Sequence, residues 1–421
     1  MKSIIENIIS YWGGERKNLY SFIFLFLIMF LMVPMHYHAD LRLFMQWGLH
    51  NYHKGLSQIY VNSGTDYMPI THYILYLFMA VQADLGRLEP HTLPLFKLIF
   101  TAIEFVFAVS LLHFLKIKKD WLFYFIFIVL NPAFFYNSYV WGQVDSLYTF
   151  MVVISLFLAY KRRIPASFAM ITFAILCKYQ AIFYIPILGL ISLPHFIYKP
   201  IQILWSLLMI MAVIFVFTFP LEDPTAILDV MKNSVDMYPF PTTNAFNIWF
   251  LMENKKALLE IGTLKDTDAF WGLTYKTYGY IFFFTASFFA LLPMLNRTLL
   301  NIKTKTYEIS HELIALSGAL VALNFFYFLT QMHERYCHAA IFFIIIYCFS
   351  KRKYWIYGLF SYAYFANMER ILNFFHFENL GTVPFQPITI SLAFGVSLIL
   401  LYIELYQNHF QEKFVLTKNS I

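Results

Sequence analysis

The chain has 421 residues, of which 60% are apolar, 21% aromatic and 13% charged, and it carries a formal net charge of +6. A soluble domain carries about 25% charged residues, and here the apolar residues arrive in runs of roughly 17–25, long enough to cross a hydrocarbon core. This excludes a soluble globular protein. The Lys and Arg residues sit in short clusters between the runs, so they read as topology signals and not as a nucleic-acid surface.

In chain order, the N-terminal MKSIIENIISYWGGERKNLY has no short apolar core followed by a small-residue cleavage site, so the first run is expected to be a retained helix. Arg16 and Lys17 precede that first span, at 19–35, and place the N-terminus inside. Residues 36–94 then form an outer loop. Its apolar piece 70–82 is short and broken by His72, Gln82 and Asp84, and it reads as a helix lying at the interface. A span at 95–115 brings KIKK (116–119) inside; counting 70–82 as a crossing would put that cluster outside.

Spans at 121–138 and 144–160 return KRR (161–163) to the inner side, and spans at 164–177 and 181–196 form an outward hairpin tipped by Lys178, Tyr179 and Gln180. A span at 201–219 leads to the longest outer loop, 220–276. Spans at 277–295 and 311–330 flank the basic inner segment 297–305. The turn QMHERY (331–336) is outside, 336–350 returns to KRK (351–353), and spans at 354–367 and 386–405 leave the C-terminus inside. The expectation is a single all-α polytopic domain, 1–421, with about twelve crossings. Cys177, Cys337 and Cys348 lie in or beside apolar runs and give neither a disulfide framework nor metal spacing.

On the outer face, the few polar groups gather at the ends of spans: Asp40, Asp66, Gln143 and Asp145 of WGQVDS, Lys178 and Gln180 of CKYQ, and His333, Glu334 and Arg335 of HERY. Ionisable groups at one membrane depth are costly unless they face a polar cavity or one another. A carboxylate near several cations suits a substrate whose leaving group is a lipid-borne phosphate: Arg and His give charge-assisted hydrogen bonds to phosphate, Lys a point charge. A general base within reach of an acceptor hydroxyl would complete a displacement at a sugar carbon.

At these positions the sequence resembles the GT-C membrane glycosyltransferases. Within them it is most similar to the dolichyl-phosphate-glucose glucosyltransferases that extend the N-glycan precursor (family 57 type). Asp40 and Trp47 keep the seven-residue separation of a GDYEAQRHW-like stretch, and Asp66-Tyr67-Met68-Pro69-Ile70-Thr71-His72-Tyr73 matches a DYPPLTAYHSYL-like segment. Trp141-Gly142-Gln143-Val144-Asp145-Ser146 matches an HFQYNS-like segment and also looks like bacterial GT-C mannosyltransferases. Cys177-Lys178-Tyr179-Gln180 matches an NYKQ-like hairpin, Ala245-Phe246-Asn247-Ile248-Trp249-Phe250 an ANIWCSFN-like loop, and Met332-His333-Glu334-Arg335 a VHEK-like turn. The departures are Ala39 before Asp40, Met68 in place of one proline, and Arg335 in place of lysine.

The resemblance implies a GT-C-like bundle with interfacial helices in its first outer loop. It implies metal-independent, inverting transfer of a hexose, glucose by the closest similarity, from a polyprenyl- or dolichyl-phosphate donor to a hydroxyl of a lipid-linked glycan, with no cofactor. Asp40 would be the catalytic base, and Lys178, His333 and Arg335 would contact the donor phosphate. Asp66, Gln143, Asp145, Gln180 and Glu334 would bind sugar or acceptor hydroxyls or brace the loops.

Plainer readings stand beside these. Asp40 is a favoured N-cap for LRLFMQW, Asp66 can form a turn before Pro69, and Glu334 can orient Arg335 without touching substrate. His36, His38 and Asp40 spell HxHxD, but no further ligand cluster accompanies them, so they read as interfacial histidines. Glu104, inside the second span, has no assigned role. The sequon Asn296-Arg297-Thr298 falls on the inner side and is expected to be unused; with the compact loops it favours a bacterial inner membrane over the endoplasmic reticulum. Mannosyl transfer and protein O-glycosylation are alternatives within GT-C. A lipid-linked-glycan flippase or transporter is the alternative outside it, though no half-to-half repeat of the transporter kind is evident.

Overall fold

A computed structural model describes residues 10, 16–33, 39–86, 94–234, 236–253, 264–377 and 381–410. Most of the N-terminal segment read for a signal peptide, residues 1–9 and 11–15, lies outside these residues, and so do His36 and His38.

The described residues are mostly helical. In order, the helices are α1 (Arg16–Leu31), α2 (Ala39–Lys54), α3 (Pro69–Asp84), α4 (Lys97–Phe114), α5 (Trp121–Val129), α6 (Pro132–Phe135), α7 (Asp145–Tyr160), α8 (Ile164–Cys177) and α9 (Ile185–Tyr198). They continue as α10 (Ile201–Thr218), α11 (Ala226–Ser234), α12 (Trp249–Met252), α13 (Tyr275–Thr304), α14 (His311–Phe328), α15 (His338–Lys351), α16 (Tyr354–Leu372) and α17 (Pro387–Leu405). Before α13, two short antiparallel strands, β1 (Ala269–Phe270) and β2 (Leu273–Thr274), pair Ala269 with Thr274 and Phe270 with Leu273.

Among the described residues six helical segments are long and apolar enough to cross a membrane: Pro94–Phe114, Tyr179–Tyr198, Ile201–Thr218, Tyr275–Thr304, His311–Phe328 and Pro387–His409. Helix α10 shows the solvent these surfaces require. Only 6% of its apolar window is buried, and so continuous an apolar surface is stable against lipid tails and not against water. Helices α7, α8 and α15 are apolar but shorter, at 16, 14 and 14 residues.

The expected straight span at 121–138 is broken. Pro132 has no N–H to continue the ladder, and Asn131 caps a new helix, its Oδ1 accepting from the N–H of Ala133 at 3.0 Å and of Phe134 at 3.4 Å. The two halves meet at 51°, and the second widens into a π-turn, Tyr136–Trp141. Helix α13 departs in the other direction. It runs 30 residues and carries the basic segment after 295 as uninterrupted helix as far as Thr304.

The chain divides into two compact units. The first comprises Met1–Met151, Thr172–Tyr179 and Ala212–Ser234; the second comprises Val152–Ile171, Gln180–Met211 and Val235–Ile421. In the first unit α2 and α3 pack closely, because Gly48 leaves room for Met79: a Cβ at Gly48 would lie 2.7 Å from its Cε. Asp40, Phe44, Trp47 and Asn51 follow one another at steps of four, three and four along α2 and so share a face. In the second unit α14 is buried over every residue from Leu313 to Tyr327, packed by α13, α15 and α17. A helix apolar on all sides belongs at the centre of its bundle.

Candidate active site

Asp40 lies in the first turn of α2, where the partial positive charge of the helix end favours a carboxylate. Its carboxylate reaches across the first unit: Trp141 Nε1–H donates to Asp40 Oδ2 at 2.9 Å, and the Gln143 side-chain amide donates to the same oxygen at 2.6 Å. Both donors flank Gly142, whose φ of +84° ends the π-turn in the left-handed region. A Cβ there would also meet Lys97 Cγ at 3.0 Å and Leu41 Cδ2 at 3.1 Å. The turn that presents Trp141 and Gln143 to Asp40 therefore requires glycine on two grounds.

The 65–72 segment closes against the same face of α2. The Tyr67 hydroxyl donates to Gln143 Oε1 at 3.3 Å, and its ring packs on Phe44 at 5.5 Å and on Trp47 at 5.3 Å. Buried His72 holds this segment in place. The Asn51 amide lies 3.0 Å from His72 Nδ1, and Thr65 Oγ1 lies 2.9 Å from Nε2. With Nδ1 accepting from the amide, the proton sits on Nε2 and is donated to Thr65. Burial, followed by the neighbouring His50, presses the His72 pKa down to about 3, so the ring stays neutral. Thr65 Oγ1 in turn accepts the Tyr67 N–H at 3.1 Å, shaping the turn that contains half-buried Asp66.

Lys178 forms an ion pair with Asp145, at the start of α7, with only 8% and 2% of the two side chains exposed. The Asn137 amide donates to the other Asp145 oxygen at 3.3 Å. The Lys178 ammonium also lies 6.0 Å from the Tyr67 ring centroid and 5.8 Å from that of Tyr148, within cation–π range. Asp40, Gln143, Tyr67, Lys178 and Asp145 thus form one connected polar group. Asp145 braces it by holding Lys178. Glu104 is buried beside it, its Oε1 accepting from the hydroxyls of Ser138 and Ser146, both at 2.6 Å. It anchors the π-turn to the start of α7.

The second unit carries the HERY turn. Buried Glu334 accepts from Arg335 Nη1 at 2.6 Å and lies 3.9 Å from His333 Nδ1. Burial acts to raise the Glu334 pKa, but Arg335 and His333 outweigh it and hold the carboxyl below its ordinary value. The His333 ring is flanked edge-on by Tyr238 at 4.7 Å and by Tyr336 at 5.1 Å. Its buried Nε2 has no hydrogen-bond partner among the described residues.

The turn is clamped from below. The Thr243 N–H donates to the Met332 carbonyl at 2.9 Å, and Gln331 donates to Asp236 at 3.0 Å and to buried Asp266 at 2.8 Å. Asn247 and Trp249 donate to the Leu329 carbonyl, at 3.4 and 3.3 Å. The ANIWCSFN-like loop therefore acts as a brace.

Of the residues expected in a site, Asp40, Gln143, Asp145 and Lys178 come together in the first unit, with Asp66 in an adjoining turn. His333, Glu334 and Arg335 come together in the second unit, which also holds buried Gln180. Trp141, Tyr67 and Asn137 are further members of the first group. Among the described residues no three His, Cys, Asp or Glu side chains are grouped to hold a metal ion. No protein-family model matches the chain, and no curated protein matches it.

Proposed function

We propose that the protein is an inverting, metal-independent hexosyltransferase. It moves a hexose, glucose by family resemblance, from a polyprenyl- or dolichyl-phosphate donor to a hydroxyl of a lipid-linked glycan. The reaction takes place at the outer or lumenal face of a membrane that the chain crosses about twelve times, a bacterial inner membrane on the sequence reading.

The observation that carries this reading is the Asp40 carboxylate, oriented by two side-chain donors and connected through Gln143 and Tyr67 to buried Lys178. In the reaction Asp40 accepts the proton of the acceptor hydroxyl. The hydroxyl oxygen forms the new bond to the anomeric carbon from the face opposite the phosphate. The carbon–oxygen bond to phosphate breaks with its electron pair, and the polyprenyl phosphate departs. A general base of this kind contributes about 10²–10⁴ in rate. Lys178, sharing its charge with Asp145, supplies a fixed cation for the developing phosphate charge. His333 and Arg335 take the donor-phosphate roles that the resemblance assigns to them.

The test is mass spectrometry of lipid-linked glycans from cells lacking the gene, rescued by wild type or by Asp40→Asn. Loss of one hexose, restored by wild type alone, is the expected result. Full rescue by Asp40→Asn would reduce Asp40 to a helix-end carboxylate. An unchanged set of lipid-linked glycans would move the acceptor to protein or favour transport.

A further inference from the structure

Basic side chains gather around one ring at the opposite end of the second unit from the HERY turn. Tyr307, after α13, stacks on the His195 ring of α9 with centroids 4.1 Å apart and planes inclined by 25°. The Arg162 guanidinium lies 5.6 Å from the Tyr307 centroid, and the Lys199 ammonium 5.9 Å.

Local geometry fixes this arrangement. Helix α7 ends with Arg162 at φ +62°, its N–H donating to Ala159 and that of Arg163 to Leu158, both at 2.8 Å, the pattern of a left-handed helix stop. The Tyr198 hydroxyl donates to the Ile302 carbonyl and ties the end of α9 to that of α13. The Lys199 N–H donates to the His195 carbonyl at 2.8 Å.

Positive charge where helices turn is expected on general grounds, since cations complement carbonyl ends and mark the inner side of a membrane protein. Those grounds do not account for convergence on one ring. The acidic groups at this end are taken: Glu308 pairs with Arg297 at 2.8 Å and Glu312 with Lys351 at 3.1 Å. Among the described residues Arg162 and Lys199 have no acidic partner. His195, only 3% exposed, has a buried Nδ1 with no hydrogen-bond partner among the described residues. Leaving a buried polar atom without a partner is unfavourable, so the site favours a ligand that supplies one. The turns at 161–163 and 199–200 each end one helix and begin the next, so helix-end charges of both signs alternate here and the side chains set the field.

We infer that Arg162, Lys199 and His195, seated on Tyr307, form a binding site for a phosphate-bearing anion, either a phospholipid headgroup or free phosphate. Arg162 and Lys199 supply charge-assisted hydrogen bonds to the phosphate oxygens, and a protonated Nδ1 adds a third donor. This site does not depend on the chemistry at Asp40.

The experiment is native mass spectrometry of the full-length protein released from nanodiscs of mixed phosphatidylglycerol and phosphatidylcholine. It compares wild type with Arg162→Gln/Lys199→Gln and with a charge-matched control, Lys303→Gln/Lys118→Gln. Wild type and control are expected to retain phosphatidylglycerol selectively. The Arg162/Lys199 variant should lose that selectivity on the order of thirtyfold, the effect of two cations near a membrane surface.

Inorganic phosphate is then added. Displacement of the lipid assigns the site to phosphate in general, and retention assigns it to the headgroup. Equal loss in the control would reduce the effect to diffuse surface attraction and overturn the site, as would wild type without selectivity. A second measurement guards against misfolding: phosphatidylglycerol should raise the thermal midpoint of wild type and control, but not that of Arg162→Gln or Lys199→Gln alone.

Discussion

The buried pair of Lys178 and Asp145 gives the sharpest test of the first unit. With 8% and 2% of the side chains exposed, neither charge is well solvated once its partner is gone. Breaking such a pair from one side costs about 3–5 kcal/mol, whereas replacing both partners with uncharged groups of similar volume is often close to neutral. Asp145→Asn and Lys178→Met should therefore each destabilise the unit by about 3–5 kcal/mol. The double variant should return to within about 1–2 kcal/mol of wild type, a coupling of several kcal/mol in the cycle.

Buried Cys177, next to Lys178, supplies the assay. In a Cys337→Ala/Cys348→Ala background, a thiol-reactive dye reports opening of the first unit alone. Single variants costing under about 1 kcal/mol, or additive effects in the double, would refute a coupled buried pair. Activity separates stability from chemistry. Under the proposed function the double variant regains stability and still fails to transfer hexose, because the cation that meets the phosphate is absent.

Further outcomes follow from neighbouring contacts. Asp40→Asn keeps an oxygen to accept from Trp141 and Gln143 and should change stability by less than about 1 kcal/mol, while hexose transfer in nanodiscs falls by about 10²–10⁴. Gly142→Ala forces a β-carbon into the left-handed region and against Lys97 and Leu41. It should cost about 1–3 kcal/mol in thermal unfolding and lower transfer well beyond what its remaining folded fraction explains. Two acid steps are expected in stability. His72 is pressed below its ordinary 6.5 to about 3, so the unfolded chain binds the extra proton first and stability drains away as pH falls from 6.5 towards 3. Glu334 is held below its ordinary 4.5, so its stabilisation is present above 4.5 and is lost as pH falls through its lower folded value. Chemical denaturation across pH should lose the first step in His72→Asn and the second in Glu334→Gln.

Much of the first site was legible because helix periodicity writes it into spacing. Asp40 and Trp47 stand two turns apart on α2, so a seven-residue separation is the mark of one shared face. The basic clusters likewise mark the ends of apolar runs. Hydropathy is blind to the backbone, however. It carries a span straight through Asn131 and Pro132, where a cap and a missing N–H turn the chain by 51°. Tyr67 and Trp141 stand in the matched segments, but their roles were hidden for a different reason. They are among 30 tyrosines and eight tryptophans in an aromatic-rich chain, and nothing local separates an aromatic ring that faces lipid from one whose polar edge serves a carboxylate.

Local geometry also accommodates the positions where the chain departs from the glycosyltransferase pattern it resembles. Ala39 in place of glycine is helical, the first residue of α2, and so needs no left-handed freedom; that freedom is used instead at Gly142. Met68, where the pattern has proline, precedes α3 in extended backbone, with φ −75° and ψ 158°. That is the conformation a residue before Pro69 adopts in any case. Arg335 in place of lysine gives Glu334 a planar donor held through Nη1 at 2.6 Å, where a lysine would offer a rotatable point charge. Arg335→Lys is therefore expected to loosen the turn more than its charge suggests. The check is hydrogen exchange at the His333 and His338 amides: unchanged protection would mean that the Glu334 contact does not order the turn.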